Sequence, residues 1–131
     1  MQILQVNAEN KEEVLNHIVT ILKNGGVVMH PTDTCYGLAA DIRSEDALRK
    51  LYAIKKMAEA KPVSIMVDSI DRALEYGNFY EKALNCAKEF WPGALTCIVE
   101  RSEILPKFLN SGLESVGIRF PKHQLTQDVL K

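Results

Sequence analysis

The segment that decides the fold is residues 27–38, which read VVMHPTDTCYGL. It begins as a short apolar strand and runs directly into two threonines, an aspartate and a glycine. Loops at strand ends are where proteins that alternate strands and helices place ligand-binding groups. The alternative interpretation is a turn in which the hydroxyl and carboxylate groups form hydrogen bonds only with the local backbone. The residues alone leave both interpretations open.

Before this segment, the pattern predicts one strand and one helix. Residues 2–6 alternate weakly between polar and apolar side chains and predict a short strand. Four apolar residues then recur at helical spacing and predict an amphipathic helix: Val14, Ile18, Ile21 and Leu22. The Gly25-Gly26 pair follows at the place where helices commonly end.

After this segment, helices and strands continue to alternate. Ser44 and Ser69 precede acidic first turns and predict the N-caps of two helices. Further helices are predicted over 79–90 and from Leu125 onward, and strands over 63–67, 95–99 and 116–120. This order predicts an α/β or α+β fold with a mixed sheet and flanking helices.

Composition restricts the class of protein. A chain of 131 residues with 47% hydrophobic and 25% charged residues predicts one domain, residues 1–131, with a real core. Its net charge is −1, and no apolar run approaches the roughly 20 residues of a membrane span. The N-terminus lacks the pattern of a secretory signal, so we predict a cytoplasmic protein. Three widely spaced cysteines and three scattered histidines predict neither a disulfide framework nor a metal site.

Two groups of side chains stand out from this background. Residues 49–61 carry five cations, which suit either an anionic ligand or a solvated helix face: Arg49, Lys50, Lys55, Lys56 and Lys61. Arg119 lies inside an apolar strand, where a cation is costly unless a carboxylate of the substrate or of the protein pairs with it. Asp33 and Asp41 are the protein carboxylates we consider. Phe90 and Trp91 are interpreted as core residues.

Four blocks in this order resemble the YrdC-like family of threonylcarbamoyl-AMP synthases. They are PTDTCYGL at 31–38, Lys55 with the Lys61-Pro62 pair that follows it, FWPGALT at 90–96 and VGIRFP at 116–121. The resemblance extends over essentially the whole chain. It implies a twisted mixed sheet that curves around one large, positively charged cavity.

The resemblance also implies a reaction. L-threonine, bicarbonate and ATP, with Mg²⁺, become L-threonylcarbamoyl-AMP and pyrophosphate, the first step toward threonylcarbamoyladenosine at position 37 of tRNA. By resemblance, Thr32, Thr34 and Arg119 bind the threonine substrate, and Lys55 serves catalysis. Lys55 and Lys61 meet the ATP phosphates, with Thr96 near the nucleotide.

Two departures from the family pattern keep alternatives open. Met57 stands where the family has an arginine, so Met57→Arg should tighten ATP binding if residue 57 faces the cavity. The family's later Ser-x-Asn segment is absent, so we expect the chain to lack the family's C-terminal portion. The alternatives are a catalytically impaired module that binds a nucleotide or RNA, and a carbamoyl-transfer domain of the hydrogenase-maturation type. Partners consistent with the resemblance are tRNA or double-stranded RNA, tRNA-modification proteins and a second copy of the chain.

Overall fold

Helices and strands alternate along the chain, as the sequence predicts. The computed structural model describes residues 1–58, 61–111 and 113–131. The helices in these residues are α1 (Lys11–Lys23), α2 (Glu45–Lys55), α3 (Ile70–Tyr76), α4 (Glu81–Phe90) and α5 (Gln124–Leu130). The strands are β1 (Val28–Pro31), β2 (Tyr36–Ala39), β3 (Ser64–Met66), β4 (Gly77–Asn78), β5 (Thr96–Arg101) and β6 (Ser115–Arg119).

The predicted capping serines start their helices. The Ser44 hydroxyl accepts a hydrogen bond from the Ala47 amide at 3.2 Å, and the Ser69 hydroxyl accepts one from the Arg72 amide at 3.1 Å. Each bond satisfies an amide that has no partner within its own helix. Lys56 follows the last residue of α2, and its φ of 50° turns the chain out of the helix.

The strands form a mixed sheet and a separate hairpin. The sheet has the order β3-β6-β5-β4, with β3 parallel to β6 and the other neighbours antiparallel. Strands β1 and β2 pair antiparallel, with Pro31 opposite Tyr36. In the sheet, Arg119 lies opposite Met66 on one side and Thr96 on the other. The mixed α/β architecture is therefore confirmed.

The sheet buries one of its faces. Alternate residues along β3, β5 and β6 and the residue after β3 point into the core: Ile65, Val67, Cys97, Val99, Val116 and Ile118. Helices α2, α3 and α4 contribute Leu48, Ala73 and Ala87 to the same cluster. The opposite face carries Ser64, Thr96, Ile98, Gly117 and Arg119, of which Ile98 is 76% exposed. A period of two places successive side chains of a strand on opposite faces.

Several predictions from the sequence are wrong. Residues 2–6 form no strand, because no other strand of the described residues pairs with their amides and carbonyls; the Gln5 carbonyl accepts a bond from the Asn10 side chain instead. Strands β2 and β4 were not predicted. Phe90 is 55% exposed at the end of α4, whereas Trp91 is buried and donates to the Leu95 carbonyl at 2.7 Å.

None of the helices in the described residues has the length and apolar content that crossing a bilayer requires.

Candidate substrate site at the end of strand β6

An ion pair joins the hairpin loop to the end of the sheet. The loop between β1 and β2 consists of residues 32–35, and its Asp33 accepts a hydrogen bond from Nη2 of Arg119. The same nitrogen donates to the Thr34 hydroxyl at 3.2 Å. Both members of the pair are largely buried, with 21% of the Arg119 side chain and 12% of the Asp33 side chain exposed. Arg119 thus pairs with a carboxylate of the protein, one of the two alternatives that the sequence left open.

Thr32 and Thr34 have different surroundings in the loop. The Thr32 hydroxyl donates to the Cys35 carbonyl at 2.5 Å and accepts from the amides of Thr34 and Cys35 at 3.3 and 3.2 Å. It therefore closes the turn that the sequence suggested as the local alternative. Thr34 is exposed, and its hydroxyl lies at the Arg119 guanidinium. Of the two threonines, Thr34 presents its hydroxyl beside the arginine.

Opposing influences determine the charge state of Asp33. Burial alone would raise the pKa of its carboxyl group, but hydrogen bonds from the Lys122 backbone amide and from Arg119, with the arginine's positive charge, hold that pKa below its ordinary value of 3.8. Asp33 is therefore ionised near neutral pH. Nε of Arg119 is buried and has no hydrogen-bond partner among the described residues. The guanidinium therefore keeps a buried N–H donor without an acceptor, of the kind that a carboxylate oxygen satisfies.

Thr96 lies beside this arginine because of the strand register. It is the first residue of β5 and the neighbour of Arg119 on β6. Gly117, two residues earlier on the same face, has no side chain between Ser64 and Thr96; a Cβ atom there would lie 2.8 Å from the Ser64 hydroxyl. The structure thus brings Thr32, Thr34, Thr96 and Arg119 to one end of the sheet.

The two predicted phosphate-binding lysines lie at the end of α2 and in the segment between α2 and β3. Lys55 is the last residue of α2, and both its side chain and that of Lys61 are exposed. The Tyr52 hydroxyl donates to the Lys61 carbonyl at 2.6 Å, which connects this segment to α2. Since β3 runs parallel to β6 with Met66 opposite Arg119, the backbone of Lys61 precedes β3 at the other end of the strand pair. The described structure does not place Lys61 next to Arg119.

The remaining charges and Met57 modify the sequence interpretation. Arg49 pairs with Glu45 at 2.8 Å and lies 3.8 Å from Asp46, so much of its charge is offset on its own helix. Met57 is half-buried and packs against the core. The predicted effect of Met57→Arg on ATP binding therefore stays a prediction.

Two residues at this end of the sheet were not predicted as site residues. His30 and Thr126 are both buried, and the His30 Nδ1 atom lies 3.0 Å from the Thr126 hydroxyl. Sequence spacing gives no signal for this contact, because the two residues are 96 positions apart. The sequence shows that His30 lies two residues before the loop, but only the fold shows that Thr126 is its partner.

Metal ligands do not cluster in the described part of the chain. No three histidine, cysteine, aspartate or glutamate side chains among residues 1–58, 61–111 and 113–131 converge in a way that could hold an ion. The cysteines are free, with Cys35 and Cys86 exposed; burial, with a smaller effect from Cys86, raises the pKa of the Cys97 thiol.

Comparison with known proteins identifies the family. The model of the Sua5, YciO and YrdC family, described as "Telomere recombination", matches residues 20–131. The chain belongs to this family. A human threonylcarbamoyl-AMP synthase is 38% identical over 117 residues, and one from Bacillus subtilis is 35% identical over 113 residues. The matches include 89% and 85% of this chain, respectively, but only 42% and 33% of those relatives.

A solved structure of a Sua5 protein has the same fold. Sua5 from P. abyssi, crystallised as a complex with L-threonine, superimposes with a TM-score of 0.85 at 28% sequence identity. The superposition includes 96% of this chain and 36% of the Sua5 chain. This chain therefore spans between one third and one half of the length of the relatives named here. The comparisons lend no support to the alternative of a catalytically impaired binding module.

Proposed function

We propose that this chain binds L-threonine at the Arg119 end of the sheet and forms part of the active site of a threonylcarbamoyl-AMP synthase. The observation that carries this proposal is the Arg119 guanidinium. It is held by Asp33 and Thr34, and it retains a buried, unpartnered Nε–H. A guanidinium with a free donor beside a hydroxyl suits an α-amino acid that carries its own carboxylate and hydroxyl. The P. abyssi relative crystallised with L-threonine supports the same choice of ligand.

The proposed reaction needs positioning more than a protein nucleophile. The amino group of threonine takes up the carbon of bicarbonate to form a carbamate, with loss of water. A carbamate oxygen then attacks the α-phosphorus of ATP, the bond to the β-phosphate oxygen breaks, and pyrophosphate leaves. Such a transfer is accelerated mainly by alignment and by cations near the developing charge. Arg119 and Thr34 would hold threonine, with Thr32 fixing the loop that carries Thr34.

The nucleotide would lie along the open face of the sheet. Thr96 is the neighbour of Arg119, so ATP placed beside it would bring the α-phosphate to the carbamate. Lys55 would assist at the transferring phosphate, and Lys55 with Lys61 would neutralise the phosphate charges. Mg²⁺ would be coordinated mainly by the ATP phosphates. The positively charged cavity implied by the family resemblance remains part of this proposal.

The adenylate product then has a place in tRNA modification. Its threonylcarbamoyl group is activated by the AMP leaving group, and we propose that it is transferred to adenosine 37 of tRNA by a subsequent enzyme. Transfer RNA and proteins that modify it are the partners this implies. We also propose a cytoplasmic location for this step.

The proposal is tested by following labelled L-threonine with the 131-residue chain. With ATP, magnesium and bicarbonate, we expect an adduct of threonine with AMP and an equal amount of pyrophosphate, and neither product when threonine or bicarbonate is omitted. Calorimetry without ATP should show L-threonine binding that weakens about tenfold or more in Arg119→Lys, because an ammonium cannot replace the planar donors of a guanidinium.

The matched control is Arg72→Lys. Arg72 on α3 is exposed, and its side chain pairs with Glu75 at 3.3 Å, so the same exchange there should leave threonine affinity unchanged. Equal weakening in both variants, or ATP binding without threonine-dependent pyrophosphate release, would contradict the proposal.

A further inference from the structure

Helix α5 contacts the chain immediately before the hairpin loop. The hydroxyl of Thr126, which is 2% exposed, donates to the Pro31 carbonyl at 2.6 Å. His30 Nδ1 lies 3.0 Å from the same hydroxyl and 3.2 Å from the same carbonyl. Thr126 is 95 and 96 positions from Pro31 and His30 in the sequence, and the three residues meet next to the loop that carries Thr34.

Donors and acceptors can be assigned consistently to the Thr126 hydroxyl, the Pro31 carbonyl and His30 Nδ1. A threonine hydroxyl has one proton, and here it is used toward Pro31, so the oxygen acts as an acceptor toward His30. His30 must then carry its proton on Nδ1, which makes Nδ1 the donor. Burial, against a smaller opposing effect of the Pro31 carbonyl, lowers the pKa of His30 and favours this neutral imidazole.

The position of Pro31 makes this contact relevant to the site. Pro31 is the last residue of β1, and the next residue, Thr32, begins the turn by donating its amide to the Cys35 carbonyl at 3.1 Å. Beyond Thr32, Asp33 is held by Arg119 and by the Lys122 backbone amide. The loop is therefore held on both sides by the segment 119–126.

We propose that Thr126 is a positioning residue, which acts with His30 through the Pro31 carbonyl to fix the loop 32–35 and so to place Thr34 at Arg119. That this placement serves L-threonine binding rests on the function proposed above. The contrasting possibility is that Thr126 fills space in the core, in which case a side chain of the same shape without the hydroxyl would serve equally well.

Thr126→Val and Thr126→Ser separate these possibilities, because valine keeps the shape and serine keeps the hydroxyl. The matched control is Thr20→Val, which removes an exposed helix hydroxyl that donates to the Asn16 carbonyl at 2.8 Å. Amide hydrogen exchange, read by NMR at Thr32, Thr34 and Cys35, reports on the loop without requiring any ligand. Amides of β5 and β6 serve as the internal reference for overall stability.

We expect Thr126→Val to accelerate exchange at the three loop amides about threefold to tenfold relative to β5 and β6, as loss of one hydrogen bond implies. Thr126→Ser and Thr20→Val should retain the wild-type ratio. An unchanged ratio in Thr126→Val, or an equal rise in Thr126→Ser, would overturn the proposal. If Thr126→Val does not fold, His30→Leu and His30→Asn give the same comparison, since asparagine keeps a donor near the Nδ1 position. The loop should loosen only in the leucine variant.

L-threonine affinity, measured by calorimetry on the same proteins, separates this inference from the proposed function. If the wild-type chain binds threonine, Thr126→Val should weaken binding severalfold and Thr126→Ser should restore it. If the wild-type chain does not bind threonine, the proposed function fails, and the exchange ratios alone decide whether Thr126 positions the loop.

Discussion

The two faces of the four-stranded sheet are built from the same strands and do different work. On one face, Ile118 is fully buried among Ile65, Val99 and the helices. On the other, Ile98 is 76% exposed, and Gly117 and Arg119 flank an open surface. Successive side chains of each strand point to opposite faces of the sheet, so the same strands provide both the hydrophobic core and the surface of the candidate site. The buried face supplies the core contacts of the sheet, and the other face carries Gly117 and Arg119, whose guanidinium pairs with Asp33 of the hairpin loop.

Truncation of one isoleucine on each face should give the largest contrast. Ile118→Ala removes buried methyl groups and leaves a cavity, so we expect the free energy of unfolding to fall by about 2–5 kcal/mol. Ile98→Ala should change it by no more than about 0.5 kcal/mol, because that side chain is already in solvent. Urea unfolding of both variants measures the difference, and similar losses would mean that something covers the open face.

Adding a methyl group to a glycine on each face should give a smaller contrast. A Cβ at Gly77 would lie 2.4 Å from Cγ2 of Val99 and 3.0 Å from Cδ1 of Ile118, so Gly77→Ala should lower the free energy of unfolding by about 1–3 kcal/mol. At Gly117 the closest atoms are the Ser64 hydroxyl at 2.8 Å, which can rotate away, and Cγ2 of Thr96 at 3.1 Å, which must shift by a few tenths of an ångström. Thermal unfolding should therefore show a clearly smaller loss for Gly117→Ala. The reverse order would refute this assignment of faces.

The smallest effect concerns pH and the buried histidine behind the loop. Burial chiefly, with the charge of His123, lowers the pKa of His30 below 6.5, although the Pro31 carbonyl opposes the shift. The unfolded chain then binds more protons than the folded protein, so the free energy of unfolding is greatest above pH 6.5 and falls as the pH drops below it. Urea unfolding between pH 5 and 8 measures this slope. His30→Asn should flatten it, whereas His17→Asn, an exposed histidine on α1, should leave it unchanged.

Local chemistry made the helices predictable. Ser44 and Ser69 cap α2 and α3 as their positions before acidic first turns indicated, and Gly25-Gly26 follows the end of α1. Strands were predicted less well, because a strand exists only where another strand accepts its hydrogen bonds. Residues 2–6 have a strand-like pattern without such a partner, and β2 exists because it pairs with β1.

The candidate site was predictable in its composition but not in its connections. Thr34 and Arg119 were identified from the sequence, and the structure brings them to 3.2 Å. The choice of Asp33 as the partner of Arg119, with Asp41 instead pairing with Arg43, depends on where the hairpin meets β6. The functional roles predicted for the site residues remain predictions: Thr32, Thr34, Lys55, Lys61, Thr96 and Arg119.

The sequence by itself determined most of the alternation of helices and strands and the family, because periodicity, capping residues and short motifs are local properties of the chain. Only the tertiary structure decided which loop meets which strand. The contacts of Thr126 with Pro31 and of Arg119 with Asp33 join residues 95 and 86 positions apart. Partners at such separations are determined by sheet order and helix packing. Both depend on interactions along the whole chain, so the sequence around either residue does not predict the pairing.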